Sequence, residues 1–193
     1  MIVVGLDPSL TSTGIAVLRD GIPVMLHSLG HKGTDADSYQ VRGRRIVSQA
    51  RAVMAALENS PGAGGMVIDL ALIEGPSLGS QWGDQWDRAA LWWGIYSALA
   101  AKKVPIAVVA PKTRAKWATG SGNSDKKAVL AAVRETWQQW RPHIRNDDVG
   151  DALVLASMGA LYIGDTLPFE PRRSQHEGLK SVHWPEGIGH ARL

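Results

Sequence analysis

The 193-residue chain reads as an α/β protein with a mixed five-stranded sheet, three antiparallel strands then parallel ones, covered by helices. Three observations predict this. Apolar runs rich in Val, Ile and Leu open the chain, with a hairpin signal between two of them. Later apolar runs alternate with stretches of helical periodicity, giving the order β-β-β-α-β-α-β-α-α. Hydrophobic residues at 45% and charged residues at 20% suit a chain that buries a core rather than a disordered one.

Residues 2–6 (IVVGL) form an unbroken apolar run, the mark of a buried strand. A second strand covers 13–19, and the turn sequence Asp20-Gly21 joins it to a third at 23–29. Over 38–57, Val41, Ile46, Val47, Val53, Met54 and Leu57 recur at helical spacing until the segment PGAGG at 61–65 stops them. Residues 70–74 are a strand, starting as early as Val67 and closed by Gly75-Pro76. A helix over 86–102 follows, then a strand over 106–109 that stops at Pro111. After a helical turn at 112–118 and a Gly/Ser loop, 125–140 is a third long helix capped by Ser124 or Asp125. A fourth covers 148–163. Residues 1–164 form one domain; 165–193, rich in Pro, His and Arg without periodicity, are expected to be a loose tail.

Composition removes several classes of function. With no cysteine there is no disulfide framework, no thiolate zinc site and no thiol nucleophile. The longest uncharged runs, 89–101 and 152–164, have 13 residues each, short of the roughly 20 that a membrane helix needs. Asp7 interrupts the apolar N-terminus too early for a signal peptide, so the expected compartment is the cytoplasm of a bacterial cell or a phage-infected host.

Charge is unevenly placed. The net charge is +3, yet residues 102–145 carry 10 basic groups against Asp125 and Glu135, a local +8. Such a block is the footprint of a polyanion partner. It is followed at once by Asp147, Asp148 and Asp151 with no basic group up to residue 164.

Carboxylates close three separate segments. Asp7 follows the first strand, Glu74 ends the fourth, and Asp148 and Asp151 open the last helix three residues apart, on one face. If the first and fourth strands run parallel, their acids reach the same edge of the sheet. Four carboxylates brought together repel unless a hard cation neutralises them, which points to Mg²⁺ with Mn²⁺ as its substitute. Two such ions, about 4 Å apart, clamp the attacking and leaving oxygens of phosphodiester hydrolysis. Asp147 is expected to do no more than favour the helix dipole.

These residues resemble a known family. The run GLDPSLTSTGIA at 5–16 resembles the opening of the RuvC family of Holliday junction resolvases. Ile73-Glu74 resembles its second acidic motif, and DVGDALVLA at 148–156 its terminal acidic helix. GSGNSDK at 120–126 resembles its glycine loop and catalytic lysine. The resemblance spans roughly residues 2–163. It implies an RNase H-like fold, a homodimer, two Mg²⁺ ions per site, and symmetric nicking of four-way DNA junctions. Asp7, Glu74, Asp148 and Asp151 would then be metal ligands, and Lys126 would face the scissile phosphate, with Lys127 as its competitor. Lys116 resembles a second functional lysine, and Lys112 and Arg114 join it as expected DNA contacts.

The chain departs from the family at Ser9, where glycine is usual, and just after Glu74, where an aromatic residue is common and Gly75-Pro76-Ser77 stands instead. Trp82 or Trp86 would take the stacking role on an unpaired base. Leu91, Trp92, Ile95, Tyr96 and Leu99 give the second helix more apolar surface than one face needs, which either a dimer partner or the monomer core would cover. Nicking of flaps or forks, or junction binding without catalysis, are the alternative functions.

Overall fold

A computed structural model describes residues 1–34, 36–60, 67–76 and 85–188. Its sheet has the order β3-β2-β1-β4-β5. β1 (Ile2–Asp7), β2 (Thr13–Arg19) and β3 (Ile22–Leu29) form the antiparallel meander. β4 (Leu70–Glu74) runs parallel to β1, and β5 (Ile106–Val109) parallel to β4. Asp20 and Gly21 have φ of 50° and 79°, the left-handed pair that a tight hairpin with right-twisted strands requires.

Alternation along the strands sorts the core into two layers. Ile2, Val4 and Leu6 of β1 and Ala71 and Ile73 of β4 face α1 (Tyr39–Glu58) and α2 (Gln85–Ala101). Val3 of β1 and Leu70 and Leu72 of β4 face the other way, onto α5 (Asp147–Ile163). Asp7 has the parity of Val3, and Glu74 that of Leu70 and Leu72. Both strand-end acids therefore belong to the layer of α5.

α3 (Pro111–Thr119) and α4 (Lys126–Thr136) cover the outer side of α5, so every residue of α5 from Val149 to Ile163 is buried. A bidentate pair, Arg42 to Asp87 at 2.8 and 2.9 Å, ties α1 to α2.

Two expectations are corrected. The third long helix ends at Thr136, because Trp137 leaves helical geometry (φ −105°, ψ 51°) to bury its ring, and a 3-10 helix over Gln138–His143 follows. Residues 165–188 are packed rather than loose. α6 (Arg173–Gly178) lies on α3, with Trp117 Nε1 donating to the Gln175 carbonyl at 3.1 Å and Arg172 Nη2 donating to Trp117 and Ala118 carbonyls. Leu179 and Val182 enter the core, Trp184 stacks on Tyr162, and His183 bridges to Val108 of β5.

Candidate functional site

The four predicted acids converge. The β1–β4 register pairs Leu6 with Ile73, so Asp7 and Glu74, each one residue further on, stand side by side at the same sheet end. α5 reaches them because two positions beneath it lack a side chain. A Cβ on Gly5 would strike the Ala152 carbonyl oxygen, and one on Gly14 the Asp148 carbonyl oxygen. With hydrogen at both places the helix lies directly on β1 and β2 and brings Asp148 and Asp151 over Asp7. Asn146 caps α5, accepting from Val149 N at 3.0 Å, while its amide donates to Asp148 Oδ2 at 3.4 Å.

The loop after β1 is held as firmly. Thr13 Oγ1 donates to the Ser9 carbonyl at 2.7 Å, and Gln49 of α1 donates to Thr13 Oγ1 at 2.8 Å. Trp92 of α2 donates to the Glu74 carbonyl at 2.8 Å, which fixes the end of β4 from the other side.

Crowding shows in the electrostatics. Burial first, then the facing Glu74 and Asp151, push the Asp7 carboxyl well above the usual carboxylate range, against the pull of Arg114. Asp151 is 2% exposed, and its burial, opposed by Arg114 and aided by Glu74, lifts its carboxyl to about 7.

The sequence groups Arg114 with Lys112 and Lys116 on a DNA-facing surface, and the structure corrects this. Arg114 is 6% exposed. Its Nε donates to Glu74 Oε2 and its Nη1 to Asp151 Oδ1. Burial works against its charge, but Glu74 and Asp151 outweigh that and keep the guanidinium protonated. A signal was available in the sequence: Arg114, Trp117 and Ala118 share one face of α3 by i, i+3, i+4 spacing, which puts the arginine on the apolar stripe.

Lys126 opens α4 and donates to Asp147 Oδ2 at 2.8 Å. That hydrogen bond raises the lysine above its ordinary value, with further pull from Asp148 and Asp7, and lowers Asp147 in turn. Asp147 is thus a lysine partner as well as a first-turn acid. Lys112, Lys116 and Lys127 are exposed. Trp86 is 86% exposed at the start of α2, and Trp82 lies outside the described residues.

In kind, four carboxylates against one guanidinium fit a hard divalent cation. In placement, no group of three or more such side chains among the described residues is set to hold a metal, and Glu74 and Asp151 are turned to Arg114. Asp7 and Asp148 remain outside that fork.

No family model matches the chain, and no curated protein matches it in sequence. Solved structures do. RuvC of Thermus thermophilus superposes with a TM-score of 0.57 at 17% identity, over 88% of this chain and 100% of that one. The same protein in complex with a Holliday junction substrate gives 0.58 at 18%, over 88% and 99%. The yeast mitochondrial Holliday junction resolvase gives 0.56 at 13%, over 92% and 80%. The fold is that of the RuvC resolvases, an RNase H-like fold.

Proposed function

We propose that this chain is a divalent-metal-dependent endonuclease that resolves four-way DNA junctions by paired nicks, leaving 5′-phosphate and 3′-hydroxyl ends. The observation that carries the reading is the convergence of Asp7, Glu74, Asp148 and Asp151 at one sheet end with Lys126 at their edge. The similar Thermus thermophilus protein is known in complex with a Holliday junction substrate, which supports the choice of branched DNA as substrate. Two nicks need two sites, so the working unit is a homodimer. Trp93, 58% exposed on α2, belongs to the surface that a second copy would cover.

Asp7 and Asp148 would hold the cation, Mg²⁺ or in its place Mn²⁺, with Glu74 and Asp151 as the further ligands of a two-ion site. When bound, the cation supplies charge neutralisation at the phosphate and an acidified water. Lys126 meets the scissile phosphate and stabilises the charge that develops there. Its ammonium already rests on the Asp147 carboxylate, and an arriving phosphate exchanges one anionic partner for another. Arg114 does not touch substrate; it orients Glu74 and Asp151. Lys112, Lys116 and Lys127 hold the junction arms by their phosphates, and Trp86 and Trp82 are the candidate platforms for an unpaired base.

The test mixes wild type and Asp148→Asn with labelled four-way junction, flap, fork and duplex DNA, in Mg²⁺ and in chelator. Paired junction nicks that need Mg²⁺ and vanish in the variant are the expected result. Faster cutting of flaps or forks would reassign the substrate, and binding without cutting in any divalent metal would make the chain a binding module.

A further inference from the structure

A second basic site lies away from the carboxylates, between the loop that leaves β3 and the first turns of α1. It is a cavity of about 400 Å³ lined by His31, Lys32, Thr34, Asp37, Arg44 and Arg45, among others. Arg45 is 9% exposed, and its buried Nε has no hydrogen-bond partner. A buried guanidinium with an unmet donor is costly, so its position calls for an acceptor.

The cavity is shaped around that guanidinium. A Cβ on Gly33 would strike Arg45 Nη1, so glycine leaves the seat that the arginine occupies. Asp37, an acid on the cavity wall, accepts from Thr34 N at 3.0 Å and from Thr34 Oγ1 at 2.7 Å, which staples the loop; those bonds first, and Arg45 and Arg42 after them, hold its carboxyl below the usual range. Among the described residues no salt bridge joins Asp37 to Arg45. Lys32, Arg44 and His31 are exposed around the mouth, so three further nitrogen-bearing side chains face the same opening.

Its place in the fold ties it to the acids. Leu29 pairs with Thr13, and Gly14 with Asp7, so the loop leaves β3 at the sheet end that carries Asp7. Gln49, one helical turn beyond Arg45 on the same face of α1, holds Thr13 at 2.8 Å. The basic cavity and the carboxylate cluster are therefore fixed to one short stretch of chain.

We infer that this cavity is a phosphate site and that its ligand is a backbone phosphodiester of the DNA strand whose scissile phosphate lies at the carboxylates. Arg45 forks the non-bridging oxygens from below, and Lys32 and Arg44 close over them. The inference rests on the DNA-nuclease reading and adds to it a second anchor, on the α1 side of the sheet and outside the basic block of residues 102–145.

The experiment titrates a fluorescent four-way junction in chelator, at stepped salt concentrations, with wild type, Gly33→Ala, Arg45→Met and the surface pair Lys32→Ala/Arg44→Ala. Gly33→Ala keeps every charge and displaces only the end of the Arg45 side chain. The surface pair carries the test if Arg45→Met does not fold. The expected result is binding about tenfold weaker in each variant, with the slope of log affinity on log salt shallower by about 0.9 for each phosphate the variant no longer neutralises. A parallel arm follows thermal unfolding with inorganic phosphate. Protection of wild type but not of Arg45→Met, with equal junction binding in all, would assign a free anion and overturn the DNA assignment. Variants with wild-type affinity and slope, beside a wild type that binds and nicks, would overturn the cavity alone. A wild type that binds no DNA would remove the nuclease reading and this anchor together.

Discussion

Arg114 holds in place two carboxylates that would otherwise repel each other inside the protein. Removing it leaves Asp151 buried and Glu74 half-buried without their shared partner, and breaking a buried pair in this way costs about 3–5 kcal/mol. Arg114→Leu is therefore expected to unfold at markedly lower urea in chelator. Divalent cation should restore more stability to this variant than it adds to wild type, because the freed carboxylates accept it. Arg114→Lys should fall between, since an ammonium cannot fork to two carboxylates as a guanidinium does. Lys126 answers a different question. Lys126→Ala is expected to slow nicking by about 10²-fold or more while junction affinity changes only a few-fold, measured on the same labelled junction in Mg²⁺ and in chelator. At this scale the meeting of the acids at one sheet end was legible in the sequence, because Asp7 and Glu74 each follow an apolar strand run and Asp148 and Asp151 share a helix face. Arg114 was not, because one cation among the ten of residues 102–145 looks like its neighbours until α3 is folded and its faces are known.

The pairing of α5 with β1 and β2 decides where the acids meet. Gly14→Ala would press a methyl group into the Asp148 carbonyl and lift the helix at the end that bears Asp148. We expect a loss of about 1–3 kcal/mol, the usual cost of overpacking, and a larger loss of nicking, read from unfolding curves and junction cleavage on the same preparation. All five strands were visible as apolar runs, and the parity that turns Asp7 and Glu74 toward α5 follows from their spacing. The tail was not visible, since α6 has only six residues (Arg173–Gly178). Its order comes from Trp117, Gln175 and Leu179 meeting across some 60 positions of sequence, and no local period records such contacts. The same holds for Trp137, whose burial ends α4 one turn before the apolar pattern does.

For the whole molecule, the acid cluster sets a pH dependence. Between the ordinary carboxylate range and about 7, the folded chain holds a proton at Asp151 that the unfolded chain has released, and Asp7, whose carboxyl burial also raises, acts in the same direction. Stability therefore falls as pH rises through that window, by at most about 1.4 kcal/mol per pH unit for each group. Urea unfolding in chelator from pH 5 to pH 8 should show the decline, and Asp151→Asn should flatten part of it. A rise in stability over that range would contradict the burial assigned to these groups.

β5 ends the sheet on the side away from the hairpins, and the bridge between Val108 and His183 lies along its outer rim. An uncovered rim of this kind offers unpaired amides and carbonyls to any passing strand, and a four-residue run such as IAVV has no charge to turn one away. At that bridge the segment after α5 takes up part of the rim, so a strand arriving along β5 meets backbone groups that this chain has already paired.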